Sequence, residues 1–242
     1  MNPIKQAFNI LNMGSDPDLS TSARIRNAAI LRYASDGMNA SIRSIAAEAG
    51  VSPGLVIHHF GSTQGLQEAC TDHVLAMIKE AKTSVLQPTD GPAVLLGALA
   101  SIEGYAPLVG YTLRYLQSGG ERVATFVDQF VSDAKDYMED AASHGIVSST
   151  RFPSTRARVL AEQALGALLL NFSMTQQGFD LETLPAWLRS YYERATGPML
   201  EVYTEPLLLD STLLDSYLAN RSNDSIEQHS EPPKDTPTKE IP

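Results

Sequence analysis

Apolar residues recur at steps of three and four along almost the whole chain, and no useful stretch alternates apolar with polar residues. This period is that of an α-helix, so an all-α fold is predicted. Glycine- and proline-rich breaks at 87–92, 119–120 and 145–153 separate the periodic segments. Helices are expected at 21–37, 42–49, 53–59, 63 to the break at 87, 92–103, 106–117, 121–144, 154–178, 183–203 and 210–220.

The composition excludes several classes of protein. The one cysteine, Cys70, cannot form an internal disulfide, and no cysteines and histidines cluster at metal-ligand spacing. The apolar run 164–170 is far shorter than the roughly 20 residues of a membrane span. The first nineteen residues lack the pattern of a signal peptide. We therefore expect a cytoplasmic protein with no bound metal, no cofactor and no membrane partner.

The net charge of −10 argues against nucleic acid as a partner, because an acidic protein repels phosphates at long range. The charge is unevenly distributed, however. Up to Gly65 the chain has five basic and four acidic residues, whereas the remainder has thirteen basic and twenty-four acidic. The first quarter is thus nearly neutral, which removes the objection for that segment.

The segment 41–60 has the spacing of a helix-turn-helix, for steric reasons. Ala46 is small where a second helix has to cross, and Gly50 can adopt the left-handed conformation of a tight turn. Val56 packs the second helix back onto the first, and Ser52-Pro53 is a strong helix start. The second helix then presents a small N-terminus suited to a DNA major groove.

The stretch from Thr21 to Leu66 resembles the DNA-binding domain of the tetracycline-repressor (TetR) family of bacterial transcription regulators. The residues that carry the resemblance are Ile25, Ala28-Ala29, Tyr33, Gly37, Ile45-Ala46, Ala49-Gly50-Val51-Ser52, His59-Phe60, Gly61-Ser62 and Leu66. It implies a flexible segment 1–19, a three-helix head at 20–66 and a ligand-binding and dimerisation domain at 67–220 reached through a long helix. From Arg221 onward the sequence is polar and proline-rich, which predicts a disordered tail at 221–242.

The resemblance also implies which residues face DNA. Arg43 would bond a base edge or a phosphate, and Ser41 and His59 would contact phosphates. Leu55, in the base-facing turn, could touch a thymine methyl. The complete predicted set is Ser41, Arg43, Ser44, Ser52, Pro53, Gly54, Leu55, Ile57, His58, His59 and Thr63.

Two of these positions depart from the family pattern. Ile57 stands where a phosphate-bonding tyrosine is usual, and Thr63 stands where a lysine is usual. Each departure removes a backbone contact and weakens binding. They also leave open the alternative that this protein is a family member that no longer binds DNA and acts as a protein-interaction module.

The resemblance further implies a homodimer that binds a palindromic operator and is released by a small-molecule effector. Apolar stripes on the last two long helices are the candidate dimer surface, with an internal core as the equal alternative for each side chain. These residues are Leu165, Leu169, Phe172, Leu184, Leu188, Tyr191, Tyr192, Ala195 and Met199. The candidate ligand-lining residues, for which plain core is the commoner outcome, are Tyr105, Tyr111, Tyr115, Phe126, Phe130, Asn171 and Met174.

An enzyme is disfavoured by the sequence. His58-His59 has no plausible nucleophile or acid pair beside it, and no glycine-rich phosphate loop precedes a helix. Adjacent histidines on a helix also point apart, which disfavours a metal sensor.

Overall fold

A computed structural model describes residues 20–175, 180–205 and 207–227. These residues form ten α-helices and a 3₁₀ turn, Ile102–Tyr105, with no strand among them, which confirms the all-α prediction. The helices are α1 (Thr21–Asp36), α2 (Ile42–Ala49), α3 (Pro53–Phe60), α4 (Thr63–Val85), α5 (Gly91–Ala100), α6 (Ala106–Ser118), α7 (Glu121–Ser143), α8 (Pro153–Thr175), α9 (Leu184–Thr204) and α10 (Thr212–Glu227). The segment 1–19 that we predicted to be flexible lies outside the described residues.

Four serines set the starts of the first four helices. The hydroxyl oxygens of Ser20, Ser41, Ser52 and Ser62 each accept a hydrogen bond, at 3.0–3.3 Å, from the backbone N–H three residues further on. Such an N-cap satisfies a donor that the helix itself leaves unpaired, and is worth about 1 kcal/mol. The predicted starts of these helices are therefore confirmed.

The predicted helix 92–103 ends early, at Ala100. The Ser101 hydroxyl donates to the Gly97 carbonyl at 2.8 Å, and a 3₁₀ turn follows. Pro107, which has no N–H to offer the carbonyl of Glu103, lies in the first turn of α6, where a helix does not need that bond.

At the other end of the chain, α10 continues to Glu227, so residues 221–227 are helical where we predicted disorder. Arg221 donates to the Tyr217 hydroxyl four residues back at 3.4 Å, which supports the helix beyond its apolar half. The rest of the predicted tail, 228–242, lies outside the described residues.

The chain divides into two compact units, one up to Arg194 and one from Ala195 onward. The domain boundary that we predicted between residues 66 and 67 falls inside α4 and inside the first unit. The reason is a shared core, in which Ile25, Ile45 and Val56 of the first three helices pack with Leu108 and Tyr111 of α6. The head, residues 21–60, is thus joined to α6 by direct packing as well as by α4.

Two further core clusters hold the rest of the first unit together. One joins α6, α8 and α9 through Leu113, Phe172 and Trp187, and the other joins α4, α7 and α8. Among the described helices none is by itself long and apolar enough to cross a bilayer. The pair 91–100 and 102–118, bent by 76°, reaches that length and composition only when taken together.

Candidate DNA-binding surface

The turn between α2 and α3 has the geometry that the spacing predicted. Gly50 is left-handed, with φ 66° and ψ 37°, and its N–H donates to the Ala47 carbonyl at 3.2 Å. The N–H of Val51 donates to the Ala46 carbonyl at 2.9 Å, which closes the end of α2. Ala46 and Val56 are both fully buried, so α3 packs directly across α2. The helix-turn-helix is therefore built by the predicted seam.

The predicted DNA-facing residues lie at the start of α2, along α3 and at the start of α4. Ser44 and Leu55 are half-buried, and the other nine residues are exposed. The side chain of Ile57 is 40 % exposed, so it lies on the surface and not in the seam between α2 and α3. A Cβ on Gly54 would meet nothing closer than the Ser52 hydroxyl at 3.9 Å, so Gly54 faces open space and a partner can approach its backbone closely.

The serine hydroxyls of this surface are already engaged. Ser41 accepts from the Ser44 N–H at 3.1 Å, and the Ser44 hydroxyl donates to the Ser41 carbonyl at 2.8 Å. The Ser52 hydroxyl accepts from the Leu55 N–H at 3.2 Å. The oxygens of these hydroxyls cap the N-termini of the helices. A bound anion would accept hydrogen bonds from a hydroxyl hydrogen or from the backbone N–H groups beside it.

The basic residues of α1 differ in their availability. Arg24 is exposed, whereas Arg26 is half-buried, and burial lowers the pKa of its guanidinium. Arg32 forms an ion pair with Asp36 one turn along the helix. Arg24 is thus the α1 residue best able to replace a missing phosphate contact.

Cys70 and His73 lie beneath the head, next to Arg26. The Cys70 thiol donates to the Arg26 carbonyl at 3.6 Å, and burial raises the pKa of this thiol. Burial, and then the positive charge of Arg26, lower the pKa of His73 to about 4. Both side chains are therefore neutral at pH 7. No group of three acidic, histidine or cysteine side chains within the described ranges is arranged to hold a metal ion.

The aromatic residues predicted to line a ligand cavity mostly pack on one another. Ring centroids are 5.8 Å apart for Tyr111 and Tyr115, 5.2 Å for Tyr115 and Phe126, and 6.4 Å for Phe126 and Phe130. The Tyr111 hydroxyl lies 2.7 Å from that of Thr71. In this conformation the row of rings from Tyr111 to Phe130 is part of the hydrophobic core, which is the commoner outcome for such residues.

The other predicted ligand residues are dispersed. Tyr105 is half-buried between two core clusters, and Met174 is 75 % exposed. The Asn171 side-chain amide donates to the Ala167 carbonyl at 3.0 Å and its oxygen accepts from Arg194 at 2.7 Å, so its polar atoms are satisfied within the chain.

A cavity of about 190 Å³ lies instead between α7, α8 and the loop that joins them. Met138, Ala142 and Ala157 supply apolar walls, and Lys135, Glu139 and Arg156 supply charges of both signs. None of the residues that line this cavity is among the predicted ligand residues, although the cavity lies within the predicted ligand-binding domain, 67–220.

Several of the predicted dimer residues are not available to a partner. Leu165, Phe172, Leu184 and Leu188 are buried inside the chain, and the Phe172 and Trp187 rings meet edge to face at 5.3 Å. Their assignment to a dimer surface is therefore corrected to core. Leu169, Tyr191 and Tyr192 are partly buried against the same cluster. Ala195 and Met199 belong to the second unit, where Met199 is 40 % exposed.

An exposed helix-turn-helix on a helical body is the arrangement of a DNA-binding transcriptional regulator. Residues 23–70 match the family model for bacterial regulatory proteins of the tetR family, and residues 103–209 match the model for the tetracyclin repressor-like C-terminal domain. The HTH-type transcriptional regulatory protein RaaS of Mycobacterium tuberculosis is 42% identical over 202 residues, which are 84% of this chain and 93% of RaaS. The chain belongs to the TetR family, and it is a transcriptional regulator rather than an enzyme.

Two solved structures resemble the chain more distantly, both with 16% sequence identity. A candidate TetR-family regulator from Mesorhizobium loti has a TM-score of 0.46, with 72% of this chain and 96% of that chain covered. The TetR-family regulator PfmR from Thermus thermophilus has a TM-score of 0.42, with 70% and 95% covered.

Proposed function

We propose that this protein is a repressor that binds a pseudo-palindromic operator as a homodimer and leaves it when a small molecule binds the C-terminal domain. The observation that carries the proposal is the α2–Gly50–α3 turn, with Arg43, Pro53 and Gly54 exposed around it. A helix that presents so small an N-terminus reads few bases, so two copies about one DNA turn apart, ~34 Å, are needed for specificity. Its place of action would be the bacterial cytoplasm, where the chromosome is.

The proposed release acts through α4, which packs on both the head and the body. Leu66 and Cys70 of α4 lie in the core of the head, and Leu75 lies in the cluster with Phe126 of α7. Lys79 adds hydrogen bonds of 3.0 and 2.9 Å to Asp133 and Asp136 of α7. A ligand that moves α7 would therefore also move α4 and the head. A shift in the population of the two arrangements then separates the half-site readers.

The proposed dimer surface includes the exposed face of α8. Val159, Ala167, Leu170 and Met174 follow one another at steps of eight, three and four residues, so they lie on one side of the helix, and all are exposed. Leu170 is 59 % and Met174 75 % exposed, an apolar surface that a soluble chain normally covers. The second unit offers further exposed apolar residues, among them Met199 and Tyr203.

The effector is proposed to bind within the C-terminal domain. The cavity beside Met138 and Arg156 is the space in which an effector would first be sought, since it combines apolar walls with a few charged side chains. Binding along the row from Tyr111 to Phe130 would need these packed rings to separate first. Crystals soaked with fragments distinguish the two regions by the residues that each bound fragment contacts.

A gel shift tests the proposal. The probe is the DNA flanking the protein's own gene, at about 50 and 200 mM salt, with unrelated DNA as competitor. Wild type is expected to retard this probe, and Arg43→Ala to weaken binding by about 10- to 100-fold. Arg151→Ala, at an exposed arginine outside the head, is the matched control and is expected to bind like wild type. Wild type that retards nothing at low salt, while folded, refutes the proposal.

The second candidate function is a protein-interaction module derived from a DNA-binding ancestor. Exposed Ile57 favours it, because an apolar side chain stands where a phosphate ligand is usual in the family. The same gel shift separates the candidates. The module requires that folded wild type shows no specific retardation.

A further inference from the structure

The C-terminal end of α1 is capped by a residue of the regulatory body. The last turn of α1 contains no basic residue of its own, and it ends in Asp36. Arg114 of α6 donates instead, from Nε to the Ala34 carbonyl at 3.4 Å and from Nη2 to the Ser35 carbonyl at 3.2 Å. These carbonyls belong to the group that a helix end leaves without a partner.

The charge of Arg114 suits this position. The C-terminal end of a helix carries a partial negative charge, and a cation beside it is stabilising. Burial lowers the pKa of Arg114, and Asp36 partly offsets that effect, so the guanidinium stays charged and is held near the helix end. A planar guanidinium can also bond two carbonyls at once, which fixes direction as well as distance.

One turn before Arg114, Gly110 brings α6 close to α1. A Cβ on Gly110 would lie 3.0 Å from the Ala34 Cβ and 3.1 Å from a methyl of Leu184 on α9. The backbone of α6 is therefore held between α1, which belongs to the head, and α9. A shift of α1 or α9 therefore also shifts α6, because closely packed helices do not deform continuously.

A second polar contact holds the chain just after α1. The Gln67 amide donates to the Met38 carbonyl at 2.7 Å, and its oxygen accepts from Arg122 of α7 at 3.0 Å. The end of α1 is thus attached to the body through α6 directly and through α4 and α7 indirectly. Since α1 shares its core with Ile45 and Val56, these attachments also set the orientation of α2 and α3.

We infer that Arg114 is a positioning residue for operator binding, which fixes the angle of the head on the body and so the distance between two recognition helices in a dimer. This rests on the proposed function. Arg114 bonds protein carbonyls and no part of the predicted DNA surface. Its loss is therefore expected to affect simultaneous binding of two half-sites, and to leave each head's own contacts intact.

The test compares two DNA probes. One is the fragment flanking the protein's own gene, with both half-sites, and the other is the same fragment with one half-site scrambled. Arg114→Ala is expected to bind the two-site probe about tenfold more weakly, and the one-site probe as wild type does. The slope of log K against log salt for the one-site probe is expected to be unchanged, because no phosphate contact is lost. Arg114→Lys, which keeps the charge but not the fork, is expected to recover part of the loss.

Three controls make the outcomes distinct. Arg151→Ala is the matched arginine control, circular dichroism establishes folding, and sedimentation establishes the dimer. Equal two-site affinity for Arg114→Ala and wild type overturns the inference, and so does equal weakening on both probes, which a general loss of stability would cause. If Arg114→Ala is unfolded at the assay temperature, Arg114→Lys decides by the same comparison. Failure of wild type to bind either probe would refute the proposed function instead.

Discussion

At the scale of single residues, the start of α4 is where one side chain can alter DNA binding most simply. Thr63 is exposed at the first position of the helix, directly after the capping Ser62. A lysine usual for the family at this position would add a phosphate contact. The absence of that lysine predicts a shallow dependence of binding on salt.

Thr63→Lys is expected to strengthen operator binding and to steepen the salt slope by about one unit per monomer. Thr63→Gln is the control, because glutamine also introduces a long polar side chain but lacks the charge of lysine. It is expected to leave the salt slope unchanged. Anisotropy titrations between about 50 and 200 mM salt give both slopes. An unchanged slope for Thr63→Lys would mean that the start of α4 does not reach a phosphate.

His73 gives a prediction about pH. Its pKa is lowered to about 4 from an ordinary value of 6.5, so the folded state favours the neutral ring. Stability from this residue is present above pH 6.5, and it is lost as the pH falls towards 4, because the unfolded chain then binds a proton that the folded chain does not. Between pH 7 and pH 5 the expected loss is on the order of 2 kcal/mol.

Urea unfolding at pH 7 and pH 5 measures this loss. His73→Gln cannot take up the proton, so its stability is expected to change less than that of wild type over the same interval. Parallel curves for wild type and His73→Gln would contradict the assignment.

At the scale of elements, the helix-turn-helix depends on the left-handed backbone of Gly50. Any side chain at that φ of 66° meets its own carbonyl, so Gly50→Ala is expected to cost about 1–2 kcal/mol of unfolding free energy. The same substitution at Gly54, in helical backbone with open space around its Cβ, is expected to be neutral or stabilising by up to ~1 kcal/mol. Denaturant unfolding without DNA compares the two variants. Equal effects would show that the conformation of Gly50 is not limiting.

The boundaries of the first four helices could be predicted because local signals determine them. Ser41, Ser52 and Ser62 cap through bonds to residues three positions away, and Gly50 stops α2 through its own dihedral angles. Such signals need no knowledge of the rest of the chain. The exposure of Arg43 and Pro53 followed from the same short pattern.

The surfaces of the later helices could not be predicted in the same way. An apolar stripe shows that one face of a helix is covered, but not whether a neighbour in the chain or a second copy covers it. For Leu184 and Leu188 the pattern left a dimer surface and an internal core equally open, and the chain's own core covers both side chains. Aromatic spacing likewise could not distinguish a packed row from a lined cavity, which depends on gaps between helices that are distant in sequence.

At the scale of the whole molecule, the net charge of −10 is carried outside the head. Long-range attraction to phosphate is therefore weak, and affinity has to come from specific contacts such as that of Arg43. This gives weight to the correct spacing of two heads, since a single nearly neutral head binds DNA more weakly than two heads together.

The proposed dimer provides a test at this scale. Leu170→Glu places a charge in the exposed apolar face of α8, and it is expected to raise the dimer dissociation constant by about tenfold or more. Ala124→Glu, at an exposed residue on α7, is the control and is expected to leave association unchanged. Sedimentation velocity over a concentration series measures both. An unaltered dimer in Leu170→Glu would move the interface away from this face.

The burial of Cys70 has a practical consequence for measuring that dimer. Its thiol is shielded and stays protonated near neutral pH, so alkylating reagents should pass it over. One cysteine introduced at the exposed Ala47 of α2 would then be the single labelled site in an otherwise natural chain. Two spin labels in a dimer would report directly how far apart the reading heads stand, with and without a candidate effector.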